Sequence, residues 1–314
     1  MQGQSVDRPT ILHLFTPGKQ ASPFDVNMAV DAGFQVVVPY AHVDMDQVVA
    51  MTQDAIFSRG PKGAKKTGIF IGGRDVVVAH DMLKLAEQSM FPPFVVSVFA
   101  DPSGSYTTAA GMIACVERQL RKTHGTTLEG KRVLILGGTG AVGRIAGVLC
   151  AQSGAAVRLC SHSNAARAKA AAELLGQRFK VSLQGLLIDS SSALHRELAQ
   201  TDIVLATAAA GVQVVSKEDL AAAPGLLVAA DVNAVPPAGI AGVDVKHDGV
   251  PIEGSSGAGG GKGAVGIGAL AVGDVKYQVQ HRLFVRMLEA GKPVFLGFPE
   301  ALSMARELVV ADAG

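Results

Sequence analysis

Residues 131–143 read KRVLILGGTGAVG and hold the spacing in this chain that is most specific for chemistry. An apolar strand-like run enters Gly138-x-Gly140-x-x-Gly143 directly, and residues 144–153 continue with helical character. The first glycine permits a tight turn and the second lets backbone approach a pyrophosphate. The third lets helix and strand pack closely, while the N–H groups and dipole of the helix N-terminus favour the phosphate anions. Thr139, Ala141 and Val142 complete the turn with small side chains. A glycine-rich turn without a ligand is the competing reading, and the strand before and helix after the motif weigh against it.

The end of the next strand selects between dinucleotides. A site selective for NAD places Asp or Glu there, about 20 residues past the glycines, to bind the ribose 2′-hydroxyl. This chain has Ser161-His162-Ser163-Asn164, with Arg167 close by, and no carboxylate that would repel a 2′-phosphate. Small hydroxyl and amide groups accept a phosphate and also tolerate a bare ribose. NADP is favoured and NAD use is compatible. His162 reads equally as a plain surface histidine.

Three further segments have polar or glycine-rich character. Residues 101–111 are DPSGSYTTAAG, residues 231–237 are DVNAVPP, and residues 257–268 are GAGGGKGAVGIG, followed by Gly273-Asp274-Val275-Lys276. Each has a bland reading: a helix N-cap, a proline-stiffened loop and a flexible loop. The basic run RGPKGAKK from Arg59 to Lys66 reads first as a solvated loop.

The elements that would position these groups alternate. Strand patterns are expected at Ile11–Phe15 and at residues 34–39, 67–72 and 94–99, with helices opening at Ser22-Pro23 and covering residues 43–57 and 76–90. Pro and Asp suit the first turn of a helix, where free N–H groups and the dipole favour them. A long helical stretch at residues 107–124 ends at Gly125 and looks like a connector. Strands then recur at residues 131–136, 156–160, 203–207, 226–231 and around 250–252, with helical patterns between them. Helices follow at residues 275–288 and 299–310. This is the alternation of a two-domain α/β protein whose second domain is doubly wound and of Rossmann type. The expected division is residues 1–125, completed by 289–314, and residues 126–288. Ligands in such sheets lie at strand carboxyl ends, so the loops after Leu136, Cys160, Thr207 and Asp231 are where chemistry is expected.

The totals fit. The chain has 314 residues, 48% hydrophobic and 18% charged, with 37 glycines and no Trp. That suits an α/β protein and not a nucleic-acid binder built on stacking aromatics. A net charge of +1 supplies no global field for nucleic acid or membrane. Cys115, Cys150 and Cys160 show no C-x-x-C spacing and lie in apolar runs, which predicts buried free thiols in a reducing compartment. The polar N-terminus lacks a secretory h-region and no apolar run reaches bilayer length, so the expected location is the cytoplasm.

In combination these segments resemble the bacterial methylene-tetrahydromethanopterin dehydrogenases of methylotroph one-carbon metabolism. The resemblance rests on Phe24-Asp25, on Ser58-Arg59-Gly60, and on Ile71-Gly72-Gly73-x-Asp75. It continues through Gly104-Ser105-x-Thr107-Thr108-Ala109-Ala110, the glycine turn, Asp231-x-Asn233-Ala234-x-Pro236-Pro237 and a late turn rich in Gly and Lys. It spans nearly the whole chain. It implies an N-terminal α/β domain for the pterin, a Rossmann-type domain for the dinucleotide, an active site in the cleft, and a homo-oligomer, a trimer or a multiple of one. The implied reaction moves a hydride from methylene-tetrahydromethanopterin to NADP or NAD. Strict NADP forms would carry a pair of basic residues where this chain has Ser161-His162-Ser163, so it looks more like the type accepting both cofactors. On this resemblance Asp25, Thr107 and Lys276 are the catalytic candidates, with Ser103, Ser105, Thr108, Arg59 and Lys262 on the substrate side. Arg59 and its lysine neighbours would grip the acidic tail of the pterin. Asn233, Ala234 and Pro236 would border the nicotinamide, and Thr207 is a further cofactor-binding candidate. No metal is expected.

Two other classes remain at this point. Folate-dependent methylene dehydrogenases with cyclohydrolase activity, like shikimate-dehydrogenase-like enzymes, share the two-domain plan. A non-catalytic dinucleotide-binding redox sensor would bind the cofactor without turnover.

Overall fold

The computed structural model of the protein describes residues 8–255 and 263–311. In chain order its first elements are β1 (Ile11–Phe15), α1 (Pro23–Asp31), β2 (Val36–Tyr40), α2 (Val48–Phe57), α3 (Gly60–Ala64), β3 (Thr67–Ile71), α4 (Val76–Gln88), β4 (Ser97–Ala100) and α5 (Ser105–His124). Next come β5 (Arg132–Leu136), α6 (Ala141–Gln152), β6 (Ala156–Ser161), α7 (Ala165–Phe179), β7 (Leu183–Leu187), α8 (Ser191–Leu198), β8 (Ile203–Ala206), α9 (Lys217–Ala221) and β9 (Val228–Asp231). The last are β10 (Asp248–Pro251), β11 (Val265–Ile267), α10 (Ala269–Glu289), β12 (Phe295–Leu296) and α11 (Phe298–Ala311).

Two compact units form. The first holds the chain up to Thr107 together with Gln278–Met304; the second holds Thr108–Tyr277 and the chain from Ala305 onward. These limits fall inside α5, α10 and α11, whereas the expectation from sequence put them at residues 125/126 and 288/289. Helical periodicity runs unbroken through such points, so the sequence marks where a helix ends and not where its packing partners change. Among the described residues no helix is long and apolar enough to cross a membrane.

The first unit is built on a five-stranded sheet in the order β12-β4-β3-β1-β2, parallel throughout. Every residue of β3 and β4 is buried, because helices cover both faces of a parallel sheet and remove the need for alternation. Its core is aromatic. Phe284 of α10 sits 5.1 Å, centroid to centroid, from both Phe70 of β3 and Phe99 of β4, and Phe34 meets it edge-on at 6.3 Å. Such pairs contribute about 0.5–1.5 kcal/mol each beyond their buried area. Phe34 therefore belongs to the core before β2 and not to the strand, which begins at Val36 and not at 34 as expected. Likewise β4 starts at Ser97, because Phe91 and Phe94 pair with each other around Pro92-Pro93. The expected basic loop at residues 59–66 contains the short helix α3, opened by Gly60-Pro61.

The second unit carries a seven-stranded sheet, β10-β11-β9-β8-β5-β6-β7, with β10 alone antiparallel to its neighbour. The chain winds one way from β5 through β6 to β7, then returns to the other side of β5 for β8 and β9. The loops after β5 and β8 therefore part and open a crevice at the strand carboxyl ends. Two strands here were not expected. In β7 (LQGLL) Gln184 and Gly185 break the apolar pattern, and Gly185 is required because a Cβ there would stand 2.3 Å from the Ala168 backbone. β11 lies within the run read as a flexible glycine-rich loop.

Candidate active site

The glycine turn joins β5 to α6. The left-handed residue is Gly137, with φ +77°, one position before the glycine expected to make the tight turn. A Cβ on Gly137 would come within 2.6 Å of Thr207 and Ala208 backbone atoms. Gly138 instead serves close packing: its Cβ would meet Cys160 N and Leu159 Cα of β6 at 2.9 Å, and its N–H donates to Cys160 O at 3.0 Å. At Gly143 a Cβ would stand 2.7 Å from Thr207 Oγ1 and 2.8 Å from Gly137 O. Thr207 is fixed in that position by donating from Oγ1 and N to Leu136 O at 3.0 and 2.8 Å. Its observed part is to brace the turn.

Gly140 is the N-cap of α6 and brings no capping side chain, which leaves the first-turn N–H groups of Ala141, Val142 and Gly143 for a ligand. Thr139, Gly140, Ala141 and Val142 are half-buried at this mouth. A cradle that side chains would fill, opening on an uncapped helix N-terminus, fits a dinucleotide pyrophosphate.

At the end of β6, Ser161 Oγ accepts from Ser163 N at 3.4 Å and Asn164 N at 3.2 Å, and Asn164 Oδ1 accepts from Arg167 N at 2.8 Å as the cap of α7. His162, Ser163 and Arg167 are exposed around this turn, while Ser161 itself is buried. The turn presents donors and no carboxylate, which suits a phosphorylated or a bare ribose.

The loop after β9 is locked from within. Asp231, almost fully buried, accepts from Asn233 N at 2.9 Å, Gly239 N at 2.7 Å and Ile240 N at 3.2 Å. Burial pushes its carboxyl above the usual carboxylate range, partly offset by these backbone donors. Asn233 Oδ1 accepts from Gly211 N and Val235 N, both at 3.0 Å, and its Nδ2 donates to Pro237 O at 2.8 Å. Asn233 thus ties the loops after β8 and β9 together, and Ala234 and Pro236 are held exposed at the rim.

In the first unit a polar cluster forms at the carboxyl ends of the strands. Asp101, fully buried after β4, accepts from Tyr106 N at 2.9 Å and Thr107 N at 3.2 Å; Thr107 Oγ1 donates to its other oxygen at 2.6 Å. Ser105 Oγ donates to Pro102 O at 2.6 Å. Thr107 and Ser105 are buried and spend these hydroxyls on their own turn. Ser103 is exposed, in the left-handed region at φ +52°, and donates to Gly73 O at 2.8 Å. Thr108, the first residue of the second unit, is half-buried. Tyr106 donates to Val76 O at 2.6 Å, and burial raises its phenol well above the ordinary range.

Asp25, in the first turn of α1, is buried and accepts from Gln280 Nε2 at 2.9 Å. Nothing in the sequence pointed to Gln280. Arg59 stands at the other end of the sheet, where its guanidinium donates to Pro9 O at 2.9 Å, Lys66 O at 3.1 Å and Thr67 Oγ1 at 3.2 Å. Those contacts close the amino ends of β1 and β3, away from Asp25 and Ser103. Lys276 is half-buried on α10. Lys262 lies outside the described residues. No group of three or more His, Cys, Asp or Glu side chains among the described residues is arranged to hold a metal.

A doubly wound parallel sheet with an uncapped glycine turn beside its topological switch defines a Rossmann-type dinucleotide-binding protein. Its backbone resembles shikimate 5-dehydrogenase from Listeria monocytogenes, with a TM-score of 0.53 over 98% of this chain and 99% of that one; at 13% identity this likeness concerns the fold alone. Residues 23–103 match the family profile described as methylene-tetrahydromethanopterin dehydrogenase, N-terminal. The chain is 48% identical over 299 residues, 95% of its own length and 98% of the relative's, to the NAD(P)-dependent methylenetetrahydromethanopterin dehydrogenase of Methylorubrum extorquens. It is 30% identical, again over 95% of its length and 98% of the relative's, to the bifunctional protein MdtA of the same organism. The chain belongs to the methylenetetrahydromethanopterin dehydrogenase family.

Proposed function

We propose that this protein oxidises methylene-tetrahydromethanopterin to the methenyl form with NADP or NAD as acceptor. The observation that carries this reading is the 48% identity running through both units to a relative named for that reaction. The bound dinucleotide supplies C4 of its nicotinamide as the hydride acceptor. The N–H groups at the start of α6 hold its pyrophosphate, and Ser161, His162, Ser163 and Arg167 meet the adenosine ribose with or without a 2′-phosphate. Asn233 keeps Ala234 and Pro236 at the nicotinamide border.

The first unit takes the pterin. Ser103 offers it a hydrogen bond and Thr107 and Ser105 hold that turn in shape, while Thr108 and Lys276, which belong to the second unit, are the remaining candidates for orienting the substrate. Loss of hydride leaves a methenyl cation and releases no proton, so the chain need supply no general base. A carboxylate at Asp25 complements the charge that develops. Orientation of two rings accounts for the rest, a term that reaches roughly 7–11 kcal/mol when geometry is good.

We further infer a cytoplasmic homo-oligomer, a trimer or a multiple of one, working in one-carbon oxidation in a methylotroph. The family supports this, as do three free, buried cysteines suited to a reducing compartment. The test is spectroscopic. Purified protein is offered methylene-tetrahydromethanopterin and methylene-tetrahydrofolate, each with NADP and NAD, and methenyl formation is followed. Turnover of the methanopterin substrate with both dinucleotides is expected. Turnover of the folate alone, or cofactor binding without turnover of either, overturns the reading.

A further inference from the structure

We propose that Gln280 is a positioning residue, acting through Asp25 on hydride transfer; this rests on the reading of Asp25 as part of the pterin site. Gln280 is fully buried on α10, on a helix segment whose other buried side chains, Val279, Leu283 and Phe284, are apolar. An amide in such surroundings is unfavourable unless its donors are used. Its Nε2 donates to Asp25 Oδ1 at 2.9 Å, a bond between residues 255 positions apart in the chain.

The carboxylate it meets is itself 4% exposed. Asp25 Oδ2 lies at the carboxyl end of β3, 3.9 Å from where a Cβ on Gly72 would stand, and Gly72 is fixed by donating to Phe15 O at 2.9 Å. The carboxylate is thus held by one oxygen from α10 while the other lies beside the turn after β3, on the side of the sheet where Ser103 emerges. A simple tie between α1 and α10 would be made more stably by two apolar side chains, because burying a carboxylate and an amide incurs desolvation that a Leu–Met contact avoids. A geometric role explains the polar pair. Gln280 sets the direction of Asp25 by holding one of its two oxygens.

The experiment compares Gln280→Met, which keeps length and removes the donor, with Asp25→Asn and the double variant. kcat and KM for methylene-tetrahydromethanopterin, Kd for NADP and the thermal midpoint are measured on the full chain. Gln280→Met is expected to lower kcat by about 10- to 100-fold, the scale of a small misplacement of a reacting group, with NADP Kd unchanged within about twofold. If Gln280 acts through Asp25, the double variant is no slower than Asp25→Asn. Wild-type kcat in Gln280→Met, or losses that multiply in the double variant, overturn the positioning role. Wild-type kcat in Asp25→Asn instead overturns the site reading beneath it. Should Gln280→Met fail to fold, Gln280→Glu takes its place: it keeps the shape and replaces the donor, so a kcat drop of more than about tenfold is expected, and wild-type kcat overturns the proposal.

Discussion

Gly111 lies directly against the backbone of Lys276: a Cβ on Gly111 would stand 3.2 Å from Lys276 N and 3.2 Å from Val272 O. α5 and α10 therefore meet here backbone to backbone, at the residue proposed to orient the pterin. Gly111→Ala gains helix propensity of about 0.5–1 kcal/mol and loses about 1–3 kcal/mol to crowding. A small net destabilisation is expected, with a larger drop in kcat because Lys276 shifts. Gly111→Val should cost more in both. Denaturant titration beside steady-state kinetics checks this, and a Val variant as stable as the parent would refute the close approach.

Gly143→Ala puts a methyl group 2.7 Å from Thr207 Oγ1 and 2.8 Å from Gly138 Cα. The turn must open to admit it. Calorimetric titration should show NADP and NAD affinity weakened by about tenfold or more, since overpacking of about 1–3 kcal/mol falls on the turn that holds the pyrophosphate. Undiminished affinity in a folded variant would disconnect this turn from the cofactor.

Ser161→Asp keeps an acceptor for Ser163 N and Asn164 N, so the turn after β6 should survive. It also sets a negative charge where a 2′-phosphate would lie. Like charges about 4 Å apart repel by roughly 4 kcal/mol at an effective dielectric of 20. The kcat/KM for NADP should fall at least about a hundredfold, while that for NAD stays within a few fold. His162→Asp should act in the same direction.

Thr107 separates a structural hydroxyl from a catalytic one. Thr107→Val leaves buried Asp101 without its 2.6 Å donor, which should lower stability by about 1–3 kcal/mol. Thr107→Ser retains the bond and should keep both stability and kcat. A Ser variant that folds normally but is slow would put the missing methyl group, or the hydroxyl's aim, in the chemistry.

Arg132 and Asp202 pair at 2.7 Å at the amino end of β5. Burial alone would raise the Asp202 carboxyl, but Arg132, through side-chain and backbone hydrogen bonds, brings it below its ordinary value. A depressed carboxylate contributes stability above its unfolded pKa of about 3.9, and that contribution is lost as pH falls through the lower folded value. Arg132 is half exposed, so the pair is worth on the order of 1 kcal/mol after solvent screening. Arg132→Met should therefore destabilise at pH 7 and converge with the parent in acid. A difference independent of pH would assign the loss to packing.

The glycine turn was legible because backbone geometry leaves no other residue type, although the left-handed position proved to be Gly137. The hydroxyls opening α5 were legible as a polar cluster but not in their direction. A Ser or Thr that faces a substrate and one that caps its own turn, as Thr107 and Ser105 do, read alike in sequence. Gln280 was invisible because one glutamine in an amphipathic pattern reads as a solvated position. Arg59 read first as part of a solvated loop, and only the register of β1 and β3 shows that its guanidinium closes the amino ends of those strands. The two-residue strand β12 was too short for any periodicity to show.

That short strand constrains how the protein is made. Synthesis runs from the N-terminus, at about 5–20 residues per second. Phe295 and Leu296 pair with Val98 and Phe99, and Phe284 fills the ring cluster of β3 and β4. The unit that begins the chain therefore cannot finish its sheet or its core until Phe284, Phe295 and Leu296 have left the ribosome. Residues 108–277, the greater part of the second unit, emerge while the first unit still lacks its last helix and strand, and a fragment ending at Thr107 should not persist as a folded body.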